Sequence, residues 1–148
     1  MSVSVDIAKD IVQILSEEDF SMKFSPVYEP VPRTDLQSVR GLEVFVTPDN
    51  VLRERASRGM WSWKITVNIG VIKHIDKLYR AEDIEQLSGL VDEIALVLSD
   101  AVLPSFRSAK PVSFNNTPEY IFDHVHQFSV FTSVLSVVYL VGLRSDGQ

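Results

Sequence analysis

The chain has 148 residues, 45% of them hydrophobic, and a formal net charge of −6, the size of one globular domain able to bury its own core. It has no cysteine, which excludes disulfides and thiolate metal sites, and its acidic balance argues against a nucleic-acid groove as its main function. The opening Met-Ser-Val-Ser-Val-Asp lacks a basic stretch followed by an apolar one, so no secretory signal is expected.

The first predicted element is a helix over residues 6–17. Ile7, Ile11, Ile14 and Leu15 recur at helical spacing, Val12 widens the stripe, and Lys9, Asp10, Gln13, Ser16 and Glu17 take the other side. Ser4 is the expected N-cap and Asp6 suits the first turn. Phe20, Met22 and Phe24 then alternate with Ser21 and Lys23, the signature of a strand. Pro26, Pro30 and Pro32 follow. Proline cannot donate to a ladder, so residues 26–38 are read as an edge segment or an extended loop.

The middle of the chain is β. Leu42, Val44 and Val46 alternate with Glu43, Phe45 and Thr47, and Pro48-Asp49-Asn50 is a break. The cleanest alternation comes next: Trp61, Trp63, Ile65, Val67, Ile69 and Val71 against Ser62, Lys64, Thr66, Asn68 and Gly70. These two strands are expected to pair as a long antiparallel hairpin with residues 49–59 as its tip. Such a connection is longer than most hairpin loops, and unusually long connections are often functional.

A second helix is predicted over residues 81–102. Its stripe is Ile84, Leu87, Val91, Ile94, Leu98 and Val102. The opposite side is acidic, with six acids and no lysine or arginine between Glu82 and Asp100, so no internal i,i+4 ion pair relieves its repulsion. Leu96 lies on this acidic side, where a monomer has no use for it. Pro104 stops the helix, and residues 105–118 read as a loop with a short strand at 112–114. Residues 120–126 and 128–143 are expected to form a final hairpin. The last strand does not alternate: Phe128, Val130, Val134, Val138 and Leu140 fall on one face, and Phe131, Leu135, Val137, Tyr139 and Val141 on the other. Both faces need cover, and a second copy of the protein is a candidate for one of them. The order of elements predicts an α+β fold: a mainly antiparallel sheet with a long central hairpin, flanked on one face by two helices, in a single domain over residues 1–148. The 128–143 run is too short for a spanning helix and reads as sheet core.

Three groups of residues are candidates for a site. Asp123, His124 and His126 come nearest to a metal or catalytic cluster. On a strand, the two imidazoles share a face about 7 Å apart and need a third ligand to hold a divalent ion; the plainer reading is the polar end of a hairpin. No phosphate loop or Gly-x-Ser-x-Gly motif is present, and nothing orders a triad. Arg53, Arg55 and Arg58 are the one concentrated basic patch, relieved by Glu54. They read as a solvated loop tip or as a docking arm for an acidic surface such as the second helix. Trp61 and Trp63 continue a core face near that tip, where tryptophan also serves interfaces.

Taken together, the short helix 6–17, the central hairpin with its arginine-bearing tip, the helix 82–102 and the terminal hairpin 120–143 resemble a phage tail terminator, over nearly the whole chain. The resemblance implies a homohexameric ring that caps the tail tube and joins tail to neck in the virion, assembled in the host cytoplasm. It implies no catalytic residues, metal or cofactor. The implied partners are other copies of the chain, the tail tube protein and a neck or connector protein, with DNA only in transit and no membrane. It places Arg53, Arg55, Arg58 and Leu96 at a contact with tube, neck or neighbouring subunit. The acidic residues Glu85, Asp92, Glu93 and Asp100 are expected to line the lumen, where they repel DNA phosphates, or to meet a neighbouring subunit. The competing readings are a neck protein of the virion, a non-viral binding module that dimerises through its sheet, and an enzyme using the histidine pair.

Overall fold

A computed structural model of the protein describes residues 2–31, 41–75, 78, 80–116 and 119–144, with backbone alone at residues 127 and 128. The elements run α1 (Val3–Glu17), β1 (Pro26–Tyr28), β2 (Glu43–Ser57), β3 (Met60–His74), α2 (Arg80–Asp100), β4 (Lys110–Asn115), α3 (Phe122–Phe128) and β5 (Val130–Arg144). The strands form one sheet in the order β1-β2-β3-β5-β4. β1 lies parallel to β2, and the other neighbours are antiparallel. This is the expected α+β architecture.

The core sits between the helices and one face of the sheet. From α1 come Ile7, Ala8, Ile11 and Leu15, and from α2 come Leu87, Leu90, Val91, Ile94 and Leu98. The sheet answers with Val44 and Val46, the alternating Ile65, Val67, Ile69 and Val71, and Phe131, Leu135, Val137, Tyr139 and Val141. Burying an aliphatic side chain of this size stabilises by about 1.5–3 kcal/mol, so the stripe on α2 is enough to fix its face. Among the described residues the opposite face of the sheet carries a small buried cluster of Phe45, Ile72 and Val130. There Phe45 lies directly across from Gly70, and its ring fills the space a side chain at that position would occupy.

Several expected elements are redrawn. Helix α1 begins at Val3 because Ser2, not Ser4, is the cap, its hydroxyl accepting from the Val5 N–H. The expected strand at 20–24 is not formed: the chain bends at Ser21 and Met22, with the Phe20 and Phe24 rings 5.2 Å apart, and the sheet starts at Pro26 as an edge strand three residues long. Residues 32–38 of the proline-rich stretch lie outside the described residues. Helix α2 ends at Asp100, leaving Val102 exposed beyond it. The short strand at 112–114 is present within β4. The expected strand at 120–126 is instead α3, so β5 pairs with β3 and β4 rather than closing a terminal hairpin. Ser129, in the left-handed region at φ 52°, ends α3 with its N–H on the last-turn carbonyls and turns the chain into β5.

Two polar groups tie or strain the core. The Asp10 carboxylate is buried on α1 and accepts from the Ser105 N–H at 2.8 Å and the Ser105 hydroxyl at 2.9 Å. It thereby fastens the loop after α2 to the first helix. The Tyr139 hydroxyl is buried in the same core and has no hydrogen-bond partner among the described residues. Burial, aided by the nearby Asp10 charge, pushes its ionisation well above the usual tyrosine range.

Strands β2, β3 and β5 are 15 residues each and α2 is 21. At about 3.4 Å per strand residue the strands reach about 50 Å, while α2 spans about 32 Å at 1.5 Å per residue. The sheet therefore outruns its helices. β1 pairs with β2 only along Val44, Phe45 and Val46. Beyond that level β2 is the edge of the sheet among the described residues.

Candidate assembly surfaces

The expected loop tip at residues 49–59 is not a loop. β2 and β3 stay paired up to Ser57 and Met60, and Arg58 and Gly59 alone make the turn, with Gly59 at φ 81°. The Pro48-Asp49-Asn50 break is absorbed as a bulge between Pro48 and Asn50. Proline fits there because, among the described residues, β2 has no outer neighbour at that level, so no ladder bond is lost. β5 continues alongside to pair Arg144 with Met60. The basic patch thus rides on a three-stranded arm.

Register decides how the arm is decorated. Arg53 stands opposite Trp63 and Arg55 opposite Trp61, while Val141 and Leu143 stand across from the same tryptophans on β5. Directly opposed residues share a face, so two ranks form, each running arginine, tryptophan, aliphatic. The Arg53 guanidinium lies 4.4 Å from the Trp63 ring centroid and that of Arg55 5.2 Å from Trp61. Such stacking is worth about 0.5–1 kcal/mol at exposed sites. It uses the flat face of the guanidinium and leaves the N–H edge for an acceptor. Arg53, Arg55 and Arg58 are all exposed, and both tryptophans are half-buried.

On α2, Glu85, Asp92 and Asp100 are exposed, as an acidic outer side requires. Glu93 is separate from them. It is half-buried and accepts from the Ser21 N–H at 3.1 Å and from the Ser21 hydroxyl. This clamp holds the segment after α1, whose Phe20, Met22 and Phe24 pack on the core. The period-two pattern at 20–24 signalled which side chains turn inward but not a strand, and no sequence signal linked Ser21 to Glu93 across 72 positions. Leu96 is 69% exposed. It lines a recess of about 380 Å³ with Glu18, Val97, Asp100 and Ala101, a mixed acidic and apolar lining.

The second face of β5 is covered in part. Val130 is buried with Phe45 and Ile72, but Val134 and Leu140 stay more than a third exposed. On the arm, Leu52 and Met60 are exposed as well. Polar side chains are interleaved: Leu140 pairs with Lys64 and Lys110, and the Ser136 hydroxyl donates to the Asn68 side chain at 2.7 Å.

The histidine pair does not converge. His124 and His126 sit two positions apart on α3, where such side chains diverge around the helix. His124 Nδ1 is 2.9 Å from the Thr132 hydroxyl, while Asp123 and His126 are exposed. Among the described residues no group of three or more histidines and acids could hold a metal ion, and no helix is long and apolar enough to cross a membrane. Neither a protein-family model nor a curated protein matches the chain.

Proposed function

We propose that this chain is a structural subunit of a phage virion: a tail terminator that assembles as a homohexameric ring, caps the tail tube and joins tail to neck. The observation that carries the reading is the three-stranded arm. It is already ordered by strand pairing and presents Arg53 and Arg55 on tryptophan supports with Arg58 at the turn. A preordered arm meets a partner without the conformational cost of folding a loop, which suits a part that must dock repeatedly around a ring. The exposed acids Glu85, Asp92 and Asp100 on α2 fit a lumen through which DNA passes without sticking, or a basic neighbour. The role is one of assembly, without turnover.

The exposed apolar positions on the helix-free face, Leu52, Val134 and Leu140, favour one competing reading, a dimer formed sheet to sheet. Mass measurement separates the two, since a closed six-fold ring and a two-fold dimer differ threefold in mass. The functional test is Arg53→Ser/Arg55→Ser/Arg58→Ser. The variant should fold and fail to join tails to heads, or join them only at low salt. Normal joining by this variant, or tails left uncapped by the unaltered protein, refutes the proposal.

A further inference from the structure

We infer that the tip of the arm of one copy docks in the recess at the C-terminal end of α2 of the next copy. This rests on the ring-subunit reading and names the two surfaces by which the ring closes. Charge within the chain is segregated. Residues 51–64 and Arg144 hold five basic residues and one acid, in a chain of net charge −6. The basic excess is gathered on the arm, so the remainder of the chain is more acidic than its total suggests.

Polarity matches as well. The recess is lined by the acids Glu18 and Asp100 and the apolar Leu96, Val97 and Ala101, and none of these residues belongs to the arm. Leu96 is 69% exposed and Met60, the first residue after the turn, is 38% exposed. Met60 lies two positions after Arg58 in the chain and across from Arg144. An unbranched methionine adapts to an irregular apolar surface. The nearby arginines lay their aliphatic stems on that surface and carry their charges to the carboxylates of Glu18 and Asp100. Giver and receiver are different surfaces, so the contact is head-to-tail, the type that closes into a ring when the rotation between copies permits. A sheet-to-sheet dimer would bury the arm's Leu52 and leave the recess unused.

The experiment uses two full-length variants, each followed by native mass spectrometry and by circular dichroism to establish folding. Arg58→Glu/Arg144→Glu gives an acidic arm tip beside an acidic recess. Glu18→Arg/Asp100→Arg gives a basic recess beside a basic arm. Each alone should associate about a hundredfold more weakly than the unaltered chain or worse, as like charges face to face do. Mixed, they should regain rings in which the two alternate. Leu96→Glu, which leaves Glu18 and Asp100 in place, should also weaken association while the monomer stays folded. Unaltered assembly by either charge variant alone, no assembly on mixing, or indifference to Leu96→Glu overturns the inference. An unaltered protein that is monomeric at every concentration but still caps tails overturns it too, and leaves the proposed function standing with the arm on the tube. Failure to cap tails strikes the proposed function instead.

Discussion

Replacing Gly70 with alanine tests the one close approach on the helix-free face of the sheet. An ideal Cβ at position 70 would lie 2.5 Å from Cε2 and 2.6 Å from Cζ of Phe45, against an ordinary carbon contact of about 3.5–4.0 Å. The ring must retreat by about 1 Å or more. It is 8% exposed and grouped with Ile72 and Val130, so it retreats by leaving them or by prising β2 from β3. Overpacking of this kind costs about 1–3 kcal/mol, and losing the burial of the ring costs a similar amount. Alanine recovers about 0.5–1 kcal/mol through its lower backbone entropy. The expected net loss is about 1–2 kcal/mol, read as a lower urea midpoint at unchanged slope. The partner variant makes the test specific. In a Phe45→Ala background the added methyl meets no ring, so Gly70→Ala should become neutral or mildly stabilising, a coupling of about 1–3 kcal/mol. If Gly70→Ala costs nothing in the unaltered chain, or costs the same without Phe45, the reasoning fails.

Tyr139→Phe removes a buried hydroxyl with no partner among the described residues and should leave urea stability unchanged or raise it by about 1 kcal/mol; a loss of about 1 kcal/mol or more refutes this. The raised ionisation of Tyr139 means the folded state holds its proton more tightly than the unfolded state. Its contribution is therefore present below about pH 10 and declines above it, and the alkaline fall in stability should be shallower in Tyr139→Phe. Asp10→Ala removes the acceptor of the exposed Ser105 N–H and hydroxyl, unties the loop after α2 from α1, and should cost about 1–3 kcal/mol in urea titration. Glu93→Ala frees Ser21 and should cost about 1–2 kcal/mol, with limited proteolysis shifting to residues 18–25.

Elements whose burial follows a simple period were readable in the chain. The alternation from Ile65 to Val71 and the stripe Leu87, Val91, Ile94 and Leu98 each have one buried face, and a one-faced environment writes its period into the residues. The arm escaped because its residues answer to register rather than burial. Arg53 and Arg55 are meaningful beside Trp63 and Trp61, yet in linear order they are polar residues after a proline and read as a loop. The segment at 120–126 misled for the opposite reason. Tyr120, Phe122 and Val125 have strand-like composition, but only Val125 is buried, and a left-handed Ser129 that ends a helix has no strong signature in a serine. Leu96 was legible as a misplaced apolar residue; the recess around it depends on Glu18, 78 positions away in the chain.

The outer edge of β2 beyond Val46 has a consequence for how molecules of this chain treat one another. An uncovered strand offers its main-chain groups as a template to any extended segment. Here Arg53, Glu54 and Arg55 are consecutive on that strand. An identical strand laid antiparallel and centred on Glu54 sets Arg53 against Arg55 and Glu54 against Glu54. Laid parallel in register, it sets each residue against its own kind. Either way like charges meet, which disfavours cross-strand pairing. The edge is palindromic in charge: in both of these registers it refuses its own image, while a strand of different sequence, with an acid where this one has arginine, meets no such objection.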